Sequence, residues 1–129
     1  LKTVEDIMLV GSKIPFVNQK LKMINALKIL SDKKLGILIV QNSQKKTIGV
    51  ITDGQVRRYN QKNVNLLSVA VSKIMTKNPI SIDKNELAAK ALSVMNTNKV
   101  TSLCVYDKKN KFKTIGIIHI HNILQSNIS

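Results

Sequence analysis

Acidic and aromatic residues are both scarce in this sequence. Seven Asp and Glu residues stand against 21 Lys and Arg, which gives a formal net charge of +14 at pH 7, and aromatic residues make up 3% of the 129 residues. The charge alone would favour nucleic-acid binding, but so few aromatic side chains leave little to stack on exposed bases. Lysine also accompanies abundant Asn and Ile, whose codons are A/T-rich. We therefore predict a solvated lysine surface and no nucleic-acid partner.

The sequence has only one cysteine and no long apolar run. The single cysteine, Cys104, excludes an internal disulfide, and its place in an apolar run predicts a buried side chain rather than a reactive thiol. This cysteine usage fits a reducing compartment, so we expect a cytoplasmic location. No apolar run approaches the ~20 residues needed to cross a bilayer, so we expect no membrane partner. The chain begins at Leu1, and we expect it to be a fragment of a longer protein.

An internal repeat dominates what the sequence does contain. The segment VEDIM at Val4–Met8 matches VSKIM at Val71–Met75, and IGV at Ile48 matches IGI at Ile115, with the same offset of 67 residues in both cases. Such an offset predicts a duplicated structural unit. We place the two repeats at residues 1–64 and 65–129.

Each repeat predicts a short helix, a strand, an amphipathic helix, two strands and a closing helix. Pro15 and Pro79 precede the first strand of each repeat, a position that proline tolerates. The amphipathic helices have apolar residues at helical spacing. These are Leu21, Ile24, Leu27 and Leu30 in the first repeat, and Ala88, Ala91, Leu92 and Met95 in the second. Asp83 and Glu86 predict a capping box at the start of the second of these helices.

The strand pairs GILIV/TIGVIT and SLCVY/TIGIIH are joined by short polar loops, which favours antiparallel hairpins. Closing helices are predicted from Gln55 to about Gln61 and from His121 to about Ser126. One repeat is too small to form a substantial core. We therefore expect an α/β (α+β) fold in which two β-α-β-β-α repeats pack about a pseudo-two-fold axis, with ligand grooves at their interface.

These motifs resemble a tandem of CBS domains, a Bateman module. The match is narrower still: "MLVGSKIP", "LGILIV" and "IGVITDGQVRR", followed by "VSKIMTKNPISID", "LAAKALSVMNTNKVTSLCV" and "IGIIHIHNIL", are similar to the C-terminal CBS pair of D-arabinose-5-phosphate isomerases of the KpsF/GutQ type. The resemblance covers essentially the whole chain.

The resemblance implies a regulatory role. In that family an N-terminal sugar-isomerase (SIS) domain interconverts ribulose 5-phosphate and arabinose 5-phosphate for Kdo and lipopolysaccharide synthesis. No SIS-like region occurs in these 129 residues, so we expect no catalytic residue and no isomerase activity in this chain. The expected partners are the SIS domain of the same chain and further copies, as a CBS dimer or a full-length tetramer. No cofactor is required, and the expected effector is AMP, ATP or the nucleotide-sugar CMP-Kdo.

The resemblance also places the ligand at each junction between a strand and its closing helix. CBS domains carry a hydroxyl residue there and an Asp three positions later, next to a helix N-terminus that favours anions. The corresponding residues here are Thr52 and Gln55, then His119 and Asn122. Both carboxylates are thus replaced by amides, which costs about 1 kcal/mol per hydrogen bond. Asp53 could replace one carboxylate, but a turn or helix-cap role accounts for it better.

Arg57 and Arg58, the only arginines, follow the first junction, so one could bind a phosphate or both could face solvent. Further candidates by resemblance are residues expected to flank the grooves: Ile14, Pro15, Thr76, Lys77, Asn78, Pro79 and, more weakly, Ser102. His119 and His121 form an H-x-H pair that could bind Zn²⁺, but a structural zinc site usually needs four ligands. We predict no metal site.

Two functions stay open, and a third is disfavoured by the scarcity of aromatic residues. The first is a sensor in which the CBS pair binds a nucleotide or nucleotide-sugar and regulates the isomerase. The second is a ligand-free oligomerisation module, which the amides Gln55 and Asn122 favour. The third is nucleic-acid binding through the lysine excess, which predicts a steep salt dependence.

Overall fold

The computed structural model of the chain describes residues 1–62 and 65–128. In chain order its elements are α1 (Val4–Ile7), β1 (Phe16–Asn18), α2 (Met23–Lys33), β2 (Ile37–Gln41), β3 (Thr47–Thr52), α3 (Asp53–Gln61), β4 (Thr76–Lys77), β5 (Ser81–Asp83), α4 (Ala88–Asn98), β6 (Ser102–Tyr106), β7 (Gly116–His119) and α5 (Ile120–Ile128). Single 3₁₀ turns occupy Gly11–Lys13 and Val71–Lys73. This is the mixed α+β composition that the sequence predicted.

The chain divides into two compact units. Pro15–Pro79 form the continuous unit, whereas Leu1–Ile14 and Ile80–Ser129 together form the split unit. The sheets have the spatial orders β1-β2-β3-β4 in the continuous unit and β5-β6-β7 in the split unit. The units therefore differ from the sequence repeats, because the first 14 residues belong with the second sheet and the linker before residue 80 belongs with the first.

The two predicted hairpins are confirmed. β2 pairs antiparallel with β3, with Ile37 opposite Thr52, and β6 pairs antiparallel with β7, with Ser102 opposite His119. A further strand pairs with the first strand of each hairpin: β1 runs parallel to β2, and β5 runs parallel to β6. In the continuous unit β4 adds an antiparallel strand to β3. A parallel pair needs a crossover connection, and α2 and α4 supply it.

A glycine in each sheet allows close approach of an Ile-Met segment. A Cβ on Gly49 would lie 2.7 Å from Met75 Sδ and 2.8 Å from the Thr76 carbonyl oxygen. A Cβ on Gly116 would collide with the Met8 side chain and lie 3.1 Å from the Leu9 carbonyl oxygen. The segments that repeat in the sequence therefore contact the glycine strand of the other repeat, which explains why the compact units do not follow the repeats.

The second amphipathic helix is predicted correctly and the first only in part. In α4 the buried residues are Ala88, Ala91 and Met95, with Leu92 packed beside them. In α2 they are Met23, Ala26 and Leu30. Ile24 is 46% exposed, so its assignment to the buried face is wrong. The helix starts at Met23, and the spacing from Met23 to Ala26 and Leu30 turns Ile24 outward.

The predicted capping box at Asp83 and Glu86 is also wrong. Asp83 ends β5 and its Oδ1 accepts a hydrogen bond from the Asn85 backbone N–H at 2.8 Å, while α4 begins five residues later without a side-chain cap. The carbonyl groups of Lys84 and Glu86 accept from the backbone N–H groups of Glu5 and Val4. Hydrogen bonds from the start of the chain thus hold this segment as a turn, which local sequence signals could not show.

Each unit has its own apolar core on the helix-covered face of its sheet. In the continuous unit it contains Val17, Met23, Ala26, Leu30, Leu38, Val40, Ile51, Leu66, Val71 and Ile74. In the split unit it contains Val4, Ile82, Ala91, Met95, Leu103, Val105, Ile118 and Ile123. None of the helices in the described ranges combines the length and apolar character needed to cross a membrane.

Candidate functional site: two strand-to-helix junctions

The first junction joins β3 to α3 and is closed by a reciprocal capping box. The Thr52 hydroxyl accepts from the Gln55 backbone N–H at 3.3 Å, and Gln55 Oε1 accepts from the Thr52 backbone N–H at 3.4 Å. Threonine at an N-cap with glutamine three residues later satisfies two backbone donors at once. The helix therefore starts at Asp53, two residues before the predicted Gln55.

Both the oxygen and the nitrogen of the Gln55 side-chain amide form hydrogen bonds within the protein. Its Nε2 donates to the carbonyl oxygen of Ile74, and the residue is 7% exposed. This bond ties the first turn of α3 to the 3₁₀ turn that precedes β4. The side chain that replaces the family carboxylate therefore has a structural role in this chain.

Asp53 is the first residue of α3, which agrees with the turn or helix-cap role that the sequence favoured. Its backbone N–H donates to the Gly36 carbonyl oxygen at 3.1 Å. Its carboxylate lies over Gly36, where a Cβ would be 3.0 Å from Oδ2, and Gly36 has a φ of +70°. An acidic residue in the first turn also interacts favourably with the helix dipole.

The two arginines lie on α3 and both reach back toward its start. A Cβ on Gly54 would lie 3.3 Å from Arg58 Nη1 and 3.7 Å from Arg57 Nη2, and both side chains are exposed. Two guanidinium groups beside a helix N-terminus concentrate positive charge at one spot. The structure thus places Thr52 at the end of β3 and Gln55, Arg57 and Arg58 on the first two turns of α3.

The residues that the sequence predicted to flank the grooves differ in their exposure to solvent. β4 pairs with β3 through Thr76 opposite Val50 and Lys77 opposite Gly49, and both β4 residues are exposed. Asn78 has a φ of +56°, and Pro79 is half-buried. Pro15 is buried, and its carbonyl accepts from the Ile39 N–H at 2.9 Å. Ile14 is 6% exposed and ends the split unit's first segment.

The second junction joins β7 to α5 and has a related capping geometry, in which the first side chain accepts from the residue two positions later and not three. His119 Nδ1 accepts from the His121 backbone N–H at 3.1 Å, and Asn122 Oδ1 accepts from the His119 backbone N–H at 2.9 Å. An imidazole nitrogen thus takes the place of the Thr52 hydroxyl. Asn122 corresponds to Gln55, and its side-chain oxygen makes the same type of bond to the backbone.

The cap requires His119 to be neutral. An accepting Nδ1 places the proton on Nε2, which leaves Nε2–H as a donor. The His119 and His121 rings stack with centroids 4.8 Å apart. Burial lowers the pKa of His119 below its usual value of 6.5, and the charge of His121 lowers this pKa further. Desolvation and the capping bond both favour the uncharged ring.

Ser102 adds a buried hydroxyl to the second junction. It stands opposite His119 in the β6/β7 pairing and is 7% exposed, and its Oγ has no hydrogen-bond partner among the described residues. The equivalent position in the first hairpin is Ile37, opposite Thr52. Because a buried hydroxyl without a partner is costly, this serine distinguishes the second junction from the first.

The histidine pair is not part of a metal site: within the described ranges no group of three His, Cys, Asp or Glu side chains could hold an ion.

Cys104 is buried as predicted and stands opposite Ile117, on β6, the strand that pairs with β7. Burial raises the pKa of its thiol to about 12, although a hydrogen bond with the Thr114 side chain opposes this shift. A thiol with this pKa is unreactive at neutral pH.

Comparison with known proteins shows to which family this sequence belongs. Residues 4–62 and 71–128 each match the CBS domain family. Among curated relatives, an uncharacterized protein of Rickettsia prowazekii, RP505, is 34% identical over 129 residues, which are all of this chain and 39% of that protein. Arabinose 5-phosphate isomerase KdsD of Francisella tularensis is 37% identical over 123 residues, which are 95% of this chain and 36% of that enzyme. The chain therefore spans less than two-fifths of the length of these relatives.

Solved structures share the fold at lower identity. CBSX2 in complex with AMP superimposes with a TM-score of 0.86 at 23% identity, over 99% of this chain and 97% of that one. The CBS domain pair of protein MJ0100, in complex with 5′-methylthioadenosine and S-adenosyl-L-methionine, gives a TM-score of 0.83 at 20% identity, over 98% and 96% of the two chains. With both repeats matched and the pair architecture shared, this chain belongs to the CBS-domain family.

Proposed function

We propose that this chain is the regulatory CBS pair of an arabinose-5-phosphate isomerase and that it binds a nucleotide or nucleotide-sugar effector. The observation that carries the proposal is the buried Ser102 hydroxyl, which lies opposite His119 and lacks a partner among the described residues. Such a group is normally satisfied by protein, water or ligand. A ligand hydroxyl that displaces the groups covering this oxygen at the second junction would satisfy it.

The chemistry of the two junctions suits a phosphorylated, hydroxyl-rich ligand. The second junction offers the Ser102 hydroxyl, and the neutral His119 ring adds its Nε2–H as a donor. The first offers the N-terminus of α3 and two exposed guanidinium groups, which suit phosphate. A fold neighbour in complex with AMP supports this ligand class, whereas one in complex with S-adenosyl-L-methionine, which carries no phosphate, supports only an adenosine-containing ligand. The relatives named arabinose 5-phosphate isomerase support the parent enzyme.

Neither junction carries an acidic residue three positions after its capping residue, since these positions are Gln55 and Asn122. The amides forgo the charge-assisted part of a hydrogen bond to ribose, about 1 kcal/mol or fivefold in affinity for each site. The Gln55 amide is moreover occupied within the protein. We therefore expect a moderate affinity, carried mainly by the second junction.

This chain matches less than two-fifths of the relatives named arabinose 5-phosphate isomerase, so we infer that their isomerase chemistry belongs to the part outside the match. We propose that the same holds for its parent protein, with an N-terminal SIS domain that interconverts ribulose 5-phosphate and arabinose 5-phosphate for Kdo and lipopolysaccharide synthesis in the cytoplasm. The CBS pair would then dimerise and bias the activity of that domain. The effectors to test first are AMP, ATP and CMP-Kdo.

Calorimetry and thermal shift with AMP, ATP, CMP and CMP-Kdo test the proposal. We expect one of them to raise the melting temperature with saturation, and Ser102→Ala to weaken binding about fivefold or more because it removes the hydroxyl. The matched control is Ser81→Ala, which alters an exposed serine of the same sheet. A chain that responds to none of the four ligands contradicts the proposal.

An oligomerisation module without a ligand is the second candidate. The capping box and the Gln55–Ile74 bond favour it, because they satisfy the first junction without any ligand. Sedimentation equilibrium at high concentration tests it. A chain that remains monomeric there would exclude this candidate, whereas a dimer without ligand response would favour it over the sensor.

A further inference from the structure

The turn between β6 and β7 carries an unusual concentration of charge and exposed apolar surface. Residues 108–113, with the sequence KKNKFK, form what we call the basic loop. All six residues are exposed, and the Phe112 side chain is 59% exposed. The loop therefore combines four lysines with one largely exposed aromatic residue and contains no acidic residue.

The basic loop is held in shape by two consecutive turns. Asp107 opens the first, since its Oδ1 accepts from the Lys109 N–H at 3.0 Å and its carbonyl accepts from the Asn110 N–H at 2.8 Å. Asn110 opens the second, since its Oδ1 accepts from the Phe112 N–H and its carbonyl accepts from the Lys113 N–H, both at 3.3 Å. Because the turns are already formed, docking of this loop orders little backbone.

The acidic groups nearest to the basic loop are neutralised by another residue. Lys84 Nζ lies 3.3 Å from a carboxylate oxygen of Asp107 and 3.3 Å from one of Glu5. In the described part of the split unit, the ion pairs involve Lys84 and none of the four loop lysines. Lys109 still acts on Asp107, since its backbone N–H and then its charge help to lower the Asp107 pKa, but none of the loop lysines forms an ion pair among the described residues. Most of the positive charge of the basic loop is therefore available to an anionic surface.

The same turn in the first repeat lacks this character. Residues 42–46, with the sequence NSQKK, join β2 to β3 and contain two lysines and no aromatic residue. The fold therefore does not need the longer basic sequence to close a hairpin. The extra lysines and Phe112 are a property of one hairpin, separate from both junctions.

We propose that the basic loop docks the chain peripherally onto an anionic lipid bilayer. Lysine ammonium groups would contact the headgroups, and Phe112 would enter the boundary between headgroups and acyl chains. Clustered lysines near an anionic membrane each add about fivefold to partitioning, and an inserted aromatic side chain adds to it. The absence of a spanning segment led us to expect no membrane partner, but surface docking requires none.

A planar surface fits this loop better than a nucleic acid does. Single-stranded nucleic acid is usually bound in a positively charged groove with several aromatic side chains on which successive bases stack. The basic loop offers one ring at the tip of a turn. A protruding tip with one apolar side chain among lysines matches a flat anionic boundary instead.

Vesicle co-sedimentation of the 129-residue chain tests the proposal, with phosphatidylcholine vesicles and with vesicles containing about 30% phosphatidylserine. We expect binding to the anionic vesicles only, weakening as salt is raised. Replacing Lys108, Lys109, Lys111 and Lys113 by Gln should lower partitioning at least about 100-fold, and Phe112→Ser about fivefold. The matched control replaces Lys2, Lys20, Lys28 and Lys90 by Gln, which are exposed and outside the loop.

The control removes the same charge from outside the loop, where the side chains would not touch the membrane, so it should lower partitioning by less than about fivefold. Circular dichroism and thermal melts should show all variants folded, since every substituted residue is exposed. The proposal is overturned if anionic vesicles are not bound at low salt, or if the control loses as much binding as the loop variant. It is also overturned if the loop variant loses affinity for single-stranded DNA while it still binds vesicles.

Discussion

Met8 packs directly onto Gly116, although one lies near the start of the chain and the other near its end. A Cβ on Gly116 would meet the Met8 side chain and lie 3.1 Å from the Leu9 carbonyl oxygen. The backbone pairing of Leu9 with Ile117 continues the contact. In the continuous unit Met75 and Gly49 are related in the same way, so a single packing device is used in both units.

Alanine at these glycines should destabilise the protein. We expect Gly49→Ala to lower the free energy of unfolding by about 1–3 kcal/mol, because the new methyl group meets the Thr76 backbone as well as the Met75 side chain. Urea unfolding measures the change. Gly54→Ala is the control: its Cβ would meet only the ends of flexible arginines within α3, and alanine favours a helix by about 1 kcal/mol. A Gly49→Ala variant as stable as the parent would show that the close approach is not needed.

Removal of the Gln55 side chain should be costly. Gln55→Ala deletes half of the capping box and leaves the Ile74 carbonyl without its donor, so we expect a loss of about 2–4 kcal/mol in the free energy of unfolding. Gln61→Ala, at the exposed end of the same helix, should change stability by less than about 0.5 kcal/mol. Equal effects of the two substitutions would contradict the structural role of Gln55.

Ser102→Ala should stabilise the chain in the absence of ligand. The substitution removes a buried hydroxyl that has no partner in the described structure, and we expect a gain of about 1 kcal/mol in thermal or urea unfolding. The same variant should bind effector more weakly, so stability and function would move in opposite directions. A loss of stability would mean that the hydroxyl is already satisfied within the folded chain.

Acidification should weaken the second junction. The pKa of His119 is lowered in the folded chain, chiefly by burial and then by the charge of His121, and returns to about 6.5 on unfolding. The unfolded state therefore binds more protons, so the contribution of His119 is complete above about pH 6.5 and is lost as the pH falls through its folded pKa. Urea unfolding between pH 7.5 and 5, compared with His119→Asn, isolates this contribution. An NMR titration that gives His119 a pKa above 6.5 would contradict it.

The two faces of α2 should respond differently to truncation. Leu30 is 7% exposed and Ile24 is 46% exposed. We expect Leu30→Ala to cost about 2–4 kcal/mol and Ile24→Ala less than about 1 kcal/mol in the free energy of unfolding. A loss at Ile24 as large as the loss at Leu30 would restore the face that the sequence pattern indicated, which contained both residues.

The sequence was informative wherever a signal was local or duplicated. The offset between the repeats identified two similar units, apolar runs located β2, β3, β6 and β7, and the polar turns made them hairpins. Both junctions were located because each is a strand that runs directly into a helix. The roles of Gln55 and Ser102 were not accessible, because the donor to Ile74 and the missing partner depend on atoms brought together by the fold.

By itself, the sequence determined the family, the α+β composition and the order of the elements, because hydrophobic period and turn residues act over a few neighbouring positions. Tertiary structure alone decided which segments share a core: Leu1–Ile14 join the second sheet, and Val71–Lys73 with β4 join the first. The two repeats carry nearly the same signals, so a local pattern cannot choose between partners. Long-range packing of Met8 on Gly116 and of Met75 on Gly49 makes that choice.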